Sequence, residues 1–498
     1  MTLPTGHPAP APGTGRGWDD ERLLAFAERQ ARPMRLGIDT DGDDRAPVPV
    51  RPPGGAVADV ALPGGLHRDI GAAPYPRGRA PDGLPTHRRV FGVLAASGVQ
   101  RFEVRSAVNP HRGYPAAHCF FAAQTFLLSG GAAWHFDTAG HRLRGVGDAA
   151  AGPARAPAPE SIDAAGGAVL AVLCHPRSIP SRYRELRWAL ALCEAGHLAE
   201  LLVQLARAYG LAVRVCRDFP DRAVLAAAGG GAEWMPACLV ELGAARAADA
   251  LPVAEADAEP GAGPAPEDPA LAVDRRAWSG APPSPADRTR PAPRPGAGTG
   301  RSWSRVVFER SSGHGNKGFT ASPAPLAAAA LDDAAAALAD ALGDQPGLGA
   351  GGIRTLLLAG RVAGRERGLY EIDRAGWTHA LEAGSEPGLG AVQRAFSYPL
   401  TQMSLTSCAA ALVFTMDQRA QLARGGPRRL RTAQLDLGAA AQAAGLALSA
   451  HGAFLRPARS FDPDLLAADL RLPDDQLPGY IALVGVSRFT DLLLDVRP

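Results

Sequence analysis

The sequence predicts an α+β fold: a mixed sheet flanked by helices, present in two tandem copies that close on each other as an intrachain pseudo-dimer. Three observations lead there. Residues 251–302 are so rich in Pro and Gly that they cannot supply a packed core, and they separate two stretches of comparable length. Each stretch alternates short apolar runs of strand character with long helical periodicity. The stretches also share local sequence in the same order: WHFDTAGH (134–141) with YEIDRAGW (370–377), and ARAYGLAV (206–213) with AQAAGLAL (441–448).

Residues 1–65 read as a poorly structured head with one short helix, DDERLLAFAERQARPM (19–34), whose leading acids suit the positive end of the helix dipole. The first copy is placed at 66–250. There FFAAQTFLL (120–128) and AVLAVL (168–173) are strands, SRYRELRWALALCEAGHL (181–198) opens a long helix, and ACLVELG (237–243) is a closing strand ending on glycine. After the linker at 251–302, the second copy at 303–498 repeats this order with AALVFT (410–415), a long helix and YIALVG (480–485). In both copies the Gly-Leu of the second motif is expected to cap the long helix before the next strand. A linker makes docking of the second copy intramolecular, so an interfacial site need be built only once and the copies are free to diverge.

Composition narrows the function. Lys and Arg number 52 against 50 Asp and Glu, a net +2, so no sustained basic surface argues for nucleic acid. The six cysteines form no CxxC pair and lie mostly in apolar runs, which fits buried thiols and not a disulfide frame or zinc site. No compact histidine pattern predicts a metal. The N-terminus lacks the apolar core of a signal peptide, and no run reaches the roughly 18 apolar residues of a membrane span, so a cytoplasmic protein without a membrane is expected. Lys317 is the sole lysine, and it falls in ERSSGHGNKGF (309–319), a Gly- and Ser-rich stretch with an arginine at its head.

That stretch and the order strand, long helix, Gly-Leu, strand resemble the FMN-dependent nitroreductase superfamily. Within it the sequence is similar to the SagB-type azoline (thiazoline/oxazoline) dehydrogenases of thiazole/oxazole-modified, thiopeptide-like peptide biosynthesis, over about 70–250 and 303–490. The resemblance implies one FMN at the interface of two nitroreductase-like halves. Arg310, Ser311 and Ser312 match the family's Arg-x-Ser segment, and Lys317 falls near a later basic position. A guanidinium offers paired donors to a phosphate, hydroxyls add more, and glycines let backbone amides approach. In the first half VNPHRGYPAAH (108–118) resembles the family's Pro-Ser-x-Gly-x-x-Tyr-Pro loop, with Asn109 at the serine, able to donate and accept toward a ring edge. Gly452, in SAHGAF, resembles the Gly-Phe segment that passes the flavin, with VCRDF as its first-half counterpart. Arg488, after the closing strand, stands where the family keeps a basic residue near the phosphate.

For catalysis the resemblance points to Arg182 and Tyr183, where azoline dehydrogenases carry Lys-Tyr ahead of the long helix. The second half reads as about six residues shorter there, with no matching tyrosine. Aromatising a thiazoline removes a Cα proton and a hydride, so a base must act beside the flavin. A free phenol ionises near pH 10, and a neighbouring guanidinium favours the anion, so Tyr183 is the proton carrier and Arg182 its electrostatic support. Glu194 and His197 fit the family's helix pattern but serve helix packing equally, and His118 can face the site from beyond the loop. The implied activity is oxidation of azolines to azoles in a ribosomally made precursor peptide, with a cyclodehydratase as a partner that presents it. An NAD(P)H-dependent nitro- or ene-reductase and a flavin-free peptide-binding scaffold are the alternatives.

Overall fold

A computed structural model of the chain describes residues 25, 28–35, 59–104, 108–146, 159–231, 233–251, 271, 299–313, 319–342, 352–373, 375–376, 378–383, 388–398, 400, 403–489 and 492–498. The first half runs β1 (Asp59–Ala61), α1 (Thr86–Ser97), β2 (Val99–Val104), β3 (Val108–Arg112), β4 (Ala123–Ser129), β5 (Ala132–Asp137), β6 (Arg142–Val146), α2 (Pro159–Ala164), β7 (Gly167–Cys174), α3 (Leu186–Ala208), β8 (Val213–Cys216), α4 (Asp221–Ala227) and β9 (Met235–Gly243). The second runs α5 (Trp303–Glu309), β10 (Phe319–Thr320), α6 (Ala328–Leu342), β11 (Arg354–Ala359), β12 (Gly368–Ile372), β13 (Thr378–Ala383), α7 (Leu389–Ala395), β14 (Met403–Ser404), β15 (Ala410–Met416), α8 (Gln418–Ala450), β16 (Ala453–Ala458), α9 (Pro463–Asp469), β17 (Leu477–Val486) and β18 (Leu492–Asp495).

The duplication is visible in the sheets. One has the order β1-β6-β5-β4-β7-β9-β8 and the other β13-β12-β11-β15-β17-β16, so six strands match one for one. Within both, every neighbouring pair is antiparallel, and the parallel pair is β10 with β14, outside them, so the mixed character expected of each sheet is corrected. The helix α3 does return the chain in the direction of β7, as strand-helix-strand order suggests. However, β9 inserts between β7 and β8 and pairs with both.

The first motif matches as read, since Trp134 pairs with Leu127 and Tyr370 with Leu357 in equivalent strands. The second motif is out of register. Gly210 follows the C-cap of α3 with φ +71, but its counterpart is Gly452, which follows the C-cap of α8 with φ +75. AQAAGLAL lies inside α8, about two turns earlier. A seven-residue slip keeps the same apolar face toward the core, so an alanine-rich helix reads equally well in either alignment. In the correct register RAYGLAVRVCRDF (207–219) matches SAHGAFLRPARSF (449–461), and VCRDF is not the counterpart of SAHGAF. The apparent six-residue gap also closes, because Gly425 and Gly426 then stand opposite Tyr183 and Arg184.

The halves meet along α3 and α8. Gly196 lies against the Leu435 carbonyl and Gly438 against the Cys193 carbonyl, and these are equivalent positions, so the crossing has the self-complementary form of a two-fold interface. Exchanged segments lock it. Trp303, Val306 and Val307 of α5 belong to the first half's core although the sequence assigns them to the second. β18, the last strand, pairs with β2 of the first half and forms the three-stranded sheet β18-β2-β3. Two of the sequence boundaries also shift in space: β1 precedes residue 66 yet pairs with β6, and Arg301, in the linker range, accepts a hydrogen bond at its carbonyl from Tyr75. Ala31 of the head helix is buried, and its carbonyl takes the Arg459 guanidinium. α3 is apolar and long enough to cross a membrane, but 94% of its most apolar window is buried inside the protein.

Candidate functional site

The site begins with where Arg310 is held. Ser302 caps α5 by accepting from the Arg305 amide at 3.4 Å, and the helix ends with Arg310 as its C-cap. The terminal carbonyls are taken by a first-half residue: Arg101 donates to the carbonyl of Phe308 and, at 3.1 Å, to that of Arg310. Arg101 is itself held by Glu103 at 2.7 Å, on the same face of β2. Thus β2 of one half fixes the direction in which the other half's Arg310 leaves its helix.

The Arg310 side chain then crosses the seam. Its Nη2 donates to the Arg112 carbonyl at 3.3 Å and its Nη1 to Ser312 Oγ at 3.2 Å, while Nε is buried without a partner. Ser311 accepts at its carbonyl from the Leu455 amide, and Ser312 accepts from Arg456 Nε at 2.9 Å, so the Arg-Ser-Ser segment runs beside β16. From the other side comes the segment after β3. Arg112 donates to the Tyr114 hydroxyl and to Thr138 Oγ1, both at 2.6 Å, and its guanidinium lies 3.8 Å from the Phe121 ring centroid. Its Nε also has no partner.

Charge is unbalanced here. Arg101, Arg112 and Arg310 are all buried, and Glu103 is the carboxylate bonded to Arg101 and, at 3.0 Å, to His111. Burial and the Arg101 charge push Arg310 down to about 10. Burial, offset by Glu103 and reinforced by Arg101 and Arg310, holds His111 below its ordinary value. The second carboxyl, Glu194, accepts from the Ala123 amide at 2.9 Å, and burial pushes it up to about 7, which reduces its charge at neutral pH. A buried surplus of guanidinium groups with unsatisfied donors is the environment an anion would complete.

Beside this cluster lie Arg182 and Tyr183, in a single 3-10 turn ahead of α3. Tyr183 is buried, and the Arg182 guanidinium sits 5.7 Å from its ring centroid. The His118 ring meets the Tyr183 ring edge-on at 6.1 Å. Both segments are strained: His118, Cys119 and Phe121 have φ of 44, 59 and 50, and Arg184 has φ 44 with ψ −125. Gly426, opposite Arg184 in the repeat, holds nearly the same angles, φ 59 and ψ −156, so Arg184 adopts a glycine conformation. Each such residue costs about 1–3 kcal/mol, and strain of this kind concentrates where a site needs it.

Of the sequence candidates, Arg310, Ser311, Ser312, Arg182 and Tyr183 are therefore gathered around one seam. Asn109 belongs to it through its strand, for it lies opposite Glu103 in the β2–β3 pairing. Its segment is not wholly a loop, since residues 108–112 form an edge strand that tolerates Pro110. Gly452 is explained by closing α8 in the left-handed region, as Gly210 closes α3. Arg488 is exposed and its guanidinium lies against Phe489. Lys317 lies outside the described residues. Glu194 and His197 are buried in the helix interface, with His197 Nε2 2.9 Å from the Tyr480 hydroxyl of the second half.

Sequence reading missed Arg101, Glu103, Arg112 and Arg456. Two opposite charges spaced by two in VQRFEV, and so on one face of a strand flanked by valines, mark a buried pair. Arg456 becomes visible once Gly210 is aligned with Gly452, because Arg214 then matches it. Among the described residues, no group of histidines, cysteines and carboxylates is arranged to hold a metal.

A crystal structure of a putative nitroreductase from Anabaena variabilis superposes with a TM-score of 0.67 over 94% of this chain and 99% of its own, at 16% identity. The chain has the nitroreductase fold. That match spans both halves, so the fold includes the doubled sheets and the α3–α8 crossing. Smaller matches are to the E. coli microcin synthetase McbBCD complex with truncated pro-MccB17 bound (TM-score 0.28, 16% identity, 34% of this chain and 68% of that one) and to a nitroreductase family protein of Clostridium difficile (TM-score 0.26, 13% identity, 38% and 86%). No family model and no curated protein matches the sequence.

Proposed function

We propose that the chain binds one FMN at the seam and oxidises azolines to azoles in a ribosomally synthesised precursor peptide, presented by a cyclodehydratase. The observation that carries this reading is the buried cation surplus around Arg310, with the free Nε groups of Arg310 and Arg112, set beside a strained His118–Tyr183 contact on a nitroreductase fold. Arg310, Ser311 and Ser312 of the second half would hold the phosphate, and the segment from Asn109 to Tyr114 of the first would cover the ring. The resemblance adds Lys317 and Arg488 as further cations for the phosphate. When bound, FMN supplies a hydride acceptor. Tyr183 takes the substrate's Cα proton, and Arg182, over the phenol ring, favours the anion that this requires. The choice of azolines rests on the sequence resemblance alone.

The visible spectrum of the purified chain tests the cofactor, with one flavin per chain expected. Arg310→Ala removes charge-assisted hydrogen bonds and should weaken FMN retention about 10- to 100-fold. Anaerobic mixing with a thiazoline peptide should bleach the flavin, and Tyr183→Phe should keep the colour while losing that reaction. Rapid bleaching by NAD(P)H with none by the thiazoline would select the reductase. A colourless chain that takes up no FMN would select the scaffold.

A further inference from the structure

A phenol can act as a base only after losing its own proton, and Arg182 cannot accept one. The structure sets an imidazole, able to accept one, against the ring of Tyr183. His118 meets that ring edge-on at 6.1 Å, and its outer face is exposed to solvent. Its backbone is held at φ 44, in a stretch where Cys119 and Phe121 are strained likewise, so the chain maintains this placement against a conformational cost. The counterpart of Tyr183 in the other half is Gly425, so the pairing occurs once.

We infer that His118 is the positioning residue that takes the hydroxyl proton of Tyr183, making the phenolate that the proposed dehydrogenation uses; this rests on the FMN reading above. In the step the Tyr183 O–H bond breaks and an N–H bond forms on His118. The phenolate then takes the substrate's Cα proton, and the proton on His118 leaves to solvent from its exposed face. The groups facing His118 are Tyr183 and Arg182 from the turn before α3 and Arg456 from β16. Partial burial and the charges of Arg182 and Arg456 hold the imidazole below its ordinary value, so it is neutral and able to accept at neutral pH. The same cations oppose its protonation, and the phenolate formed beside it offsets them.

The test uses the full chain. His118→Asn suits the left-handed backbone, so the variant should fold, and His118→Gln serves as a second version. With FMN bound and a synthetic thiazoline peptide as substrate, His118→Asn should reduce the flavin about 100-fold more slowly near pH 7. It should recover most of the rate as pH rises toward about 10, where a phenol ionises unaided. A rate within about two-fold of wild type, or an equal loss at every pH, overturns the relay. A second readout needs no turnover: diethyl pyrocarbonate with peptide mass spectrometry should modify His118 with a midpoint below about 6.5. A His118 that resists modification at neutral pH overturns the inference in the same way. A chain that takes up no FMN removes the underlying reading and the relay with it, whereas a yellow chain with an insensitive His118 removes the relay alone.

Discussion

Alanine at Gly438 would put a methyl carbon well inside 3.0 Å of the Cys193 carbonyl oxygen, and alanine at Gly196 would do the same at Leu435. Both obstacles are backbone atoms, so no side chain can swing aside, and α3 and α8 must part by about 1 Å. Losing close packing along the crossing costs about 3 kcal/mol, and replacing a mid-helix glycine with alanine returns about 1 kcal/mol. Each variant should therefore lose about 2 kcal/mol. Because the positions are equivalent, the two losses should agree, and once the helices have parted for one methyl the second fits at little further cost. The double variant should lose about 2–3 kcal/mol instead of about 4. Urea unfolding midpoints of the four proteins, read at a constant denaturant slope, measure this. Strict additivity, or one variant neutral while the other is severe, would refute a two-fold crossing at these glycines.

Other outcomes follow from the same interface. Asp221, fully buried, accepts from Arg428 and, at 2.6 Å, from Arg431, both on α8, so Asp221→Ala should cost about 3–5 kcal/mol by taking this buried carboxylate from two guanidinium groups that keep their backbone acceptors at Phe219 and Pro236; a loss under about 1 kcal/mol in urea would contradict this. Burial raises Glu194 from about 4.5 to about 7, so the folded chain binds its proton more tightly and stability falls as pH rises between those values, by about 3 kcal/mol in all. Glu194→Gln should remove that fall, and profiles parallel to wild type from about pH 5 to about pH 8 would show the shift is absent. His197, which burial pushes down to about 3, has the opposite sign: it contributes a loss of stability as pH drops below about 6.5, and His197→Gln should flatten that limb in acid unfolding curves.

Much of the candidate site was legible because its parts are local. Arg310-Ser311-Ser312 and Arg182-Tyr183 each sit within one short segment, and their chemistry is that of adjacent side chains. The long helix was equally plain from its apolar period, but its register was not. Gly445 and Gly452 both precede an apolar residue and differ by seven residues, about two helical turns, so only the strand after Gly452 identifies the cap. The partners of Arg310 were hidden for a different reason: Arg101 and Arg112 come from strands far away in the chain, and no local pattern relates them.

By itself the sequence determined two α+β copies, the closing strands with their glycines, and the burial of every cysteine but the half-buried Cys119, because each depends on residues near one another along the chain. Tertiary structure alone decided which arginines face one another across the seam, that α5 fills the first half's core, and that the last strand completes the first half's small sheet. Those outcomes depend on which surfaces two diverged copies bury against each other, and burial between distant segments leaves no periodic trace in either.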